Sequence, residues 1–266
     1  MTYPDKPGGA EPVLAWRDGG IAQIRFNRPA VLNAIDVSIA RAFHEACQLV
    51  ERDAAVRAVV ISGEGRAFMA GGDLAAMNAD PAGVARQLID GMHGALAILA
   101  RLPAPVVASV HGAVAGAGLG VALACDLCIA AEGTRFNLAY PGVGTSSDCG
   151  TSWALPRIVG VRKALEIALL NDMMDAAEAL RLGLVNQVVA ANELDGATQK
   201  IAERLARGPT HALGQLKTLM RSSLDREFGG QLDAEAEAFL ACAGTADFRE
   251  GVQAFLQKRK PAFHGQ

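Results

Sequence analysis

No charge of either sign dominates this 266-residue chain: 25 Lys and Arg stand against 28 Asp and Glu, a formal net charge of −3. That balance excludes a global attraction to nucleic acid or to an anionic membrane surface, while leaving room for a local basic patch. The N-terminus, Met1 to Ala10, lacks the apolar run of a secretory signal, and residues 1–11 are expected to be a short disordered lead-in. Five cysteines (47, 125, 128, 149 and 242) form no disulfide-like pattern, which suits a reducing, cytoplasmic setting. Cys125-x-x-Cys128 has no second pair and no histidine cluster to complete a zinc site. It reads as two thiols on a buried strand, and no metal is expected. Internal repeats and long linkers are also missing, so the length fits one large domain or a domain with a helical extension.

The longest stretch without Asp, Glu, Lys or Arg runs from Leu102 to Cys125. Hydropathy alone would allow a membrane span there. Pro103, Pro105, His111 and the glycines at 112, 116, 118 and 120 point instead to a strand (106–110), a glycine turn and a small-residue helix from Val121. A dinucleotide fingerprint fails, because Gly116-Ala-Gly118 is followed by Leu119, Gly120 and Val121 and the first acid is Asp126. What remains is backbone N–H groups at a helix start, suited to a phosphate, a carboxylate or a developing oxyanion.

Around this centre the chain reads as β/α first and helical last. Residues 12–17 and 21–26 alternate about Asp18-Gly19-Gly20 as a hairpin. Asp36 is placed to cap a helix over 37–52, with Ile39, Phe43, Ala46 and Val50 on one face. Ala58–Ser62 is a buried strand, 63–72 a loop, and Asp73 starts a short helix. Asp80-Pro81 opens a longer helix to Arg101, its apolar face Val84, Leu88, Met92, Leu96 and Leu99. Leu127–Ala131 is strand-like, 132–148 irregular, and Cys149–Leu155 the start of a helix. Helices follow over 161–170, 175–182, 193–206, 209–223, 227–242 and 246–258, interrupted by one strand at 184–189. So long a helical tail often packs on a partner subunit.

The loops ending at Gly72 and at Gly116–Gly118 share one design, strand, glycine turn, helix. Side by side, they would aim one N–H each at a single oxygen. The motifs around them are informative: Asn27-Arg28-Pro29-x-x-Leu32-Asn33-Ala34, Phe68-x-Ala70-Gly71-Gly72-Asp73-Leu74, His111-Gly112-x-x-x-Gly116-x-Gly118, and Glu250-Gly251-x-x-Ala254-Phe255-x-x-Lys258-Arg259-Lys260-Pro261-Ala262-Phe263. Together, over about residues 12–263, they resemble the crotonase (enoyl-CoA hydratase/isomerase) family. The resemblance implies an α/β spiral of ββα turns (the ClpP-like fold) over 12–195, and a C-terminal helical region, 196–266, that builds a homotrimer or hexamer. It implies an acyl-CoA ligand and no cofactor beyond that CoA. The oxyanion-hole donors would be the N–H groups of Gly72 and Ala117, the latter following Gly116. The backbone from Ala67 through Phe68 to Ala70 would read the adenine. Arg28, Lys258 and Lys260 are candidates for the CoA phosphates, or else solvated surface charge.

The resemblance also marks departures. Hydratases of the family hold water with two glutamates, and the matching positions here are Gly120 and Tyr140. Eight residues past Tyr140 stands Asp148. A carboxylate at this place resembles the proton shuttle of the phenylacetyl-CoA ring-epoxide isomerase and enoyl-CoA isomerases. It also resembles the nucleophile of chlorobenzoyl-CoA dehalogenase, in which a histidine matches His93, flanked here by Gly91 and Gly94 that would leave room around it. From the residues alone, Asp148 could equally cap the following helix, His93 could be a packed or surface histidine, and Cys149 lacks a histidine to activate it. The favoured expectation is an isomerase in which Gly72 and Ala117 hold an enolate, Asp148 moves a proton and Tyr140 lines the pocket. The alternatives are a hydratase with an unusual residue set, an Asp148/His93 hydrolase, and a non-catalytic acyl-CoA or RNA-binding relative.

Overall fold

In the computed structural model, which describes residues 3, 9–78 and 80–266, the expected hairpin is β1 (Val13–Asp18) and β2 (Ile21–Phe26), paired Val13 to Phe26 through Asp18 to Ile21. Most of the lead-in, residues 1, 2 and 4–8, lies outside the described residues. Asp36 caps α1 (Val37–Arg52) by accepting the Ile39 N–H at 2.9 Å, and α1 buries Ile39, Phe43, Ala46 and Val50 as its periodicity requires. The chain returns through β3 (Ala58–Gly63), the short α2 (Leu74–Met77, capped by Asp73) and α3 (Pro81–Arg101, capped by Asp80) to β4 (Val106–Val110).

Three features in the next stretch differ from the sequence expectation. A three-residue strand, β5 (Ala113–Ala115), precedes the helix, and α4 (Ala117–Ala124) starts at Ala117 rather than Val121. After β6 (Leu127–Ala131), the segment expected to be irregular holds β7 (Arg135–Asn137) and a 3-10 turn at Tyr140–Val143. These strands are too short to show a period; they exist because β5, β7 and β8 (Met174–Asp175) satisfy one another in a small second sheet. The remaining elements are α5 (Thr151–Val159), α6 (Val161–Leu170), α7 (Ala176–Arg181), β9 (Gln187–Val189), α8 (Leu194–Ala206), α9 (Thr210–Ser222), α10 (Phe228–Ala243) and α11 (Ala246–Leu256).

The main sheet runs β1-β2-β3-β4-β6-β9, parallel from β2 onward. Its inner strands read as continuous apolar runs because both faces are covered, and all of Val106–Val110 is buried. The parallel strands from β2 onward all end at the same edge of the sheet, where the candidate loops collect. One side chain fixes that edge. Asn33, fully buried and left-handed (φ 58°), donates its amide to the carbonyls of Glu64, Ala67 and Phe68 at 3.0, 2.8 and 3.1 Å. Its Oδ1 accepts the Arg28 N–H at 2.8 Å. Asn33→Ala strands these buried groups, so it should lower unfolding stability by about 2–3 kcal/mol, measurable by urea titration. A loss below about 0.5 kcal/mol would show that the loop does not depend on Asn33.

Candidate active site

The two glycine loops, which share one design, lie against each other. Met69 and Val114 form a parallel bridge in which Met69 N–H donates to Ala113 at 3.0 Å and Ala115 N–H donates to Met69 at 3.0 Å. A Cβ placed on Gly116 would sit 3.5 Å from the Gly71 Cα, so the backbones meet glycine to glycine. Gly118 is needed for this approach, because a Cβ there would be 2.5 Å from the Met69 carbonyl oxygen. Ala117 is the first residue of α4, so its N–H has no intrahelical acceptor. Among the described residues neither the Gly72 N–H nor the Ala117 N–H donates to another group. This pair of donors can hold a carbonyl oxygen that gains negative charge.

The backbone expected to read the adenine is partly committed to other hydrogen bonds. Phe68, Met69 and Ala70 N–H groups donate to His111, Ala113 and Leu32, and the Ala67 and Phe68 carbonyls accept from Asn33. Arg28 pairs with Asp36 at 3.0 Å and Asp73 at 3.5 Å, the caps of α1 and α2, and also donates to the Ala34 carbonyl at 2.9 Å. Lys258 and Lys260 stand exposed beyond α11, with no carboxylate partner among the described residues and no bond to the Ala67–Gly72 loop.

Asp148 is not a helix cap. Gly150 occupies the cap of α5, and the Asp148 carboxylate instead accepts a hydrogen bond from the Tyr140 hydroxyl. Burial first, then the Asp148 charge and this bond, push the Tyr140 hydroxyl far above an ordinary phenol. The neighbouring Cys149 thiol is also pushed up, by burial and by Asp148, which disfavours a nucleophilic thiolate. His93 is exposed on α3, beside a cavity of about 650 Å³ that it lines with Gly120, Leu123, Cys149, Gly150 and Trp153. No hydrogen bond joins His93 to Asp148 among the described residues. Gly91 and Gly94 do not make room around it: their α-carbons face Ala40 and His44 and let α3 pack closely on α1. The side chain that the motifs did not single out is Trp153, stacked on Arg157 at 4.1 Å, with Arg157 paired to Asp225 at 2.8 Å. A lone tryptophan early in a helix gave no signal.

The sequence compares with known proteins over nearly its whole length. The family model described as enoyl-CoA hydratase/isomerase matches residues 17–266. The chain belongs to the enoyl-CoA hydratase/isomerase family. It is 37% identical to the 1,2-epoxyphenylacetyl-CoA isomerase of Escherichia coli, covering 96% of this chain and 98% of that one. It is 33% identical to a 4-chlorobenzoyl coenzyme A dehalogenase of an Arthrobacter species, covering 90% and 88%. The crystal structure of an enoyl-CoA hydratase from Polaromonas superposes with a TM-score of 0.89 at 33% identity, covering 95% and 99%. The chain therefore has the crotonase fold and acts on acyl-CoA, as its family does, while these relatives carry isomerase, dehalogenase and hydratase names.

Both tyrosines of the chain are shielded, Tyr3 being pushed up to about 12 by burial first and then by Asp53. Their protonated forms are favoured by the fold, so the stabilisation is complete below about pH 10 and is lost as pH climbs above it. Absorbance at 295 nm in the native protein should stay flat through pH 10. A full tyrosinate rise centred there would contradict the Tyr140–Asp148 bond.

Proposed function

We propose that this enzyme is an acyl-CoA isomerase in which Asp148 carries the proton. The Tyr140–Asp148 hydrogen bond supports the reading most directly: it aims the one carboxylate of the Tyr140–Asp148 turn. The two positions where family hydratases place glutamates hold Gly120 and Tyr140. The thioester oxygen lies between the N–H groups of Gly72 and Ala117. Asp148 takes a proton from a carbon conjugated to the thioester, the electron pair moves into the carbonyl as an enolate, and the same carboxyl returns the proton elsewhere, shifting a double bond or opening a strained ring. Tyr140 holds the carboxylate and the acyl group extends toward the cavity beside Gly120. Gly116 opens the approach to Ala117, and no cofactor beyond the CoA of the substrate takes part. Lys258 and Lys260, without a carboxylate partner among the described residues, suit the CoA phosphates better than Arg28.

A second reading, with Asp148 as nucleophile and His93 activating water, is favoured by one observation, the cavity that His93 shares with Gly120 and Cys149. Mass spectrometry separates the two in D2O with 2-enoyl-, 3-enoyl- and aryl-CoA thioesters. Deuterium gain without added water, cut about 10³-fold by Asp148→Asn and kept by His93→Ala, is the expected result. Whole-water addition that survives Asp148→Asn would restore a hydratase, and water-dependent product lost with His93→Ala would favour the hydrolase.

The same proposal includes self-association. Leu169, Leu170, Met220, Phe228, Leu240, Phe255 and Leu256 are exposed apolar side chains on α6 and α9–α11. Light scattering should give the mass of three or six chains, and a monomer at micromolar concentration would refute it.

A further inference from the structure

Gly120 lies on α4 one turn beyond Gly116, to whose carbonyl it donates at 3.1 Å. The turn Asp148–Thr151 is pressed flat against it. A Cβ at 120 would stand 2.6 Å from the Cys149 Cβ, 2.8 Å from the Cys149 carbonyl oxygen and 2.9 Å from the Thr151 Oγ1. Real Cβ contacts are not that short, and the carbonyl oxygen cannot swing away as a flexible side chain would. The turn has no slack of its own. Cys149 is 1% exposed and left-handed (φ 51°), a conformation its side chain disfavours, and Gly150 follows at φ 71°. Among the described residues the buried Thr151 hydroxyl has no hydrogen-bond partner, so close packing rather than a polar bond seats the turn on α4.

The turn carries Asp148. Its main-chain carbonyl accepts the Thr151 N–H at 3.1 Å, and its carboxylate meets Tyr140 from the other side. We infer that Gly120 is a positioning residue for Asp148: the missing side chain lets the Asp148–Thr151 turn seat on α4, so a water-holding glutamate at 120 and a seated Asp148 exclude each other. The inference rests on the isomerase reading of the same site. It also separates the two chemistries sterically, because a single Gly120→Glu change would displace Asp148 without installing a hydratase.

The test is a cycle of Gly120→Ala with Cys149→Gly, measured beside Asp148→Asn. Circular dichroism and a melting curve confirm folding, and kcat and KM are read on whichever thioester the wild type isomerises. Gly120→Ala should lower kcat by about 300-fold with KM within about threefold, since the CoA-facing loops are untouched. In the Cys149→Gly background the Cβ contact is gone while the carbonyl and Thr151 contacts persist, so the same change should cost only about tenfold. A structural glycine would lower the folded fraction instead, without a kcat–KM split or rescue. If Gly120→Ala alone does not fold, the comparison is made within the Cys149→Gly background, where equal kcat with and without the alanine overturns the inference. It is likewise overturned by a kcat within threefold of wild type, or by the same loss in both backgrounds. Asp148→Asn keeps the two levels apart. If it retains isomerisation, the reading of Asp148 as the proton carrier falls; if it abolishes it while Gly120→Ala does not matter, only the inference falls.

Discussion

The site depends on one seam, the two-bond parallel bridge between Met69 and Val114. Everything on the Gly72 side comes from the β3 turn and everything on the Ala117 side from the β4 turn, and these turns have no covalent reason to meet. The bridge brings them together, and the Gly71–Gly116 and Gly118–Met69 contacts keep them close. An oxyanion stabilised by two main-chain donors gains from their being fixed before the reaction, because no reorganisation is then needed. Here the fixing is done by sheet geometry and by the buried Asn33 amide.

Local signals made much of this legible in advance. The caps at Asp36, Asp73 and Asp80 act within three residues, so sequence shows them and the structure repeats them. The common strand–turn–helix design of the two glycine loops showed what they could do side by side, while their meeting is set by the long-range Met69–Val114 bridge. What stayed hidden was set at long range. β5 and β7 are three residues each and are strands only because they pair, and Ala117 begins α4 because Gly116 donates to Asn137 across that small sheet. The role of the Asp148 carboxylate was ambiguous between cap and site for the same reason: only the fold shows that Tyr140 claims it. Gly91 and Gly94 misled because a glycine on a helix does not say which neighbour it admits.

The apolar helices at the C-terminal end mark the opposite limit. Their periodicity showed that they were helices, and so long a tail was expected to pack on a partner subunit rather than wholly on its own domain. Phe228 and Phe255 remain about four-fifths exposed, at 78% and 82%. In a single chain such surface contributes nothing to stability, so the cooperativity of folding and that of assembly are coupled through these side chains if three or six copies meet there.

Arg28 carries a consequence that is electrostatic. Two aspartates cap the helices that flank the glycine loop, and at neutral pH each would repel a polyanionic ligand arriving at that rim. One guanidinium shared between Asp36 and Asp73 cancels much of that repulsion while leaving both caps in place. The rim then keeps one net negative charge instead of two, and ionic strength would tune the rate at which a polyanionic ligand arrives there more than the tightness of the final grip.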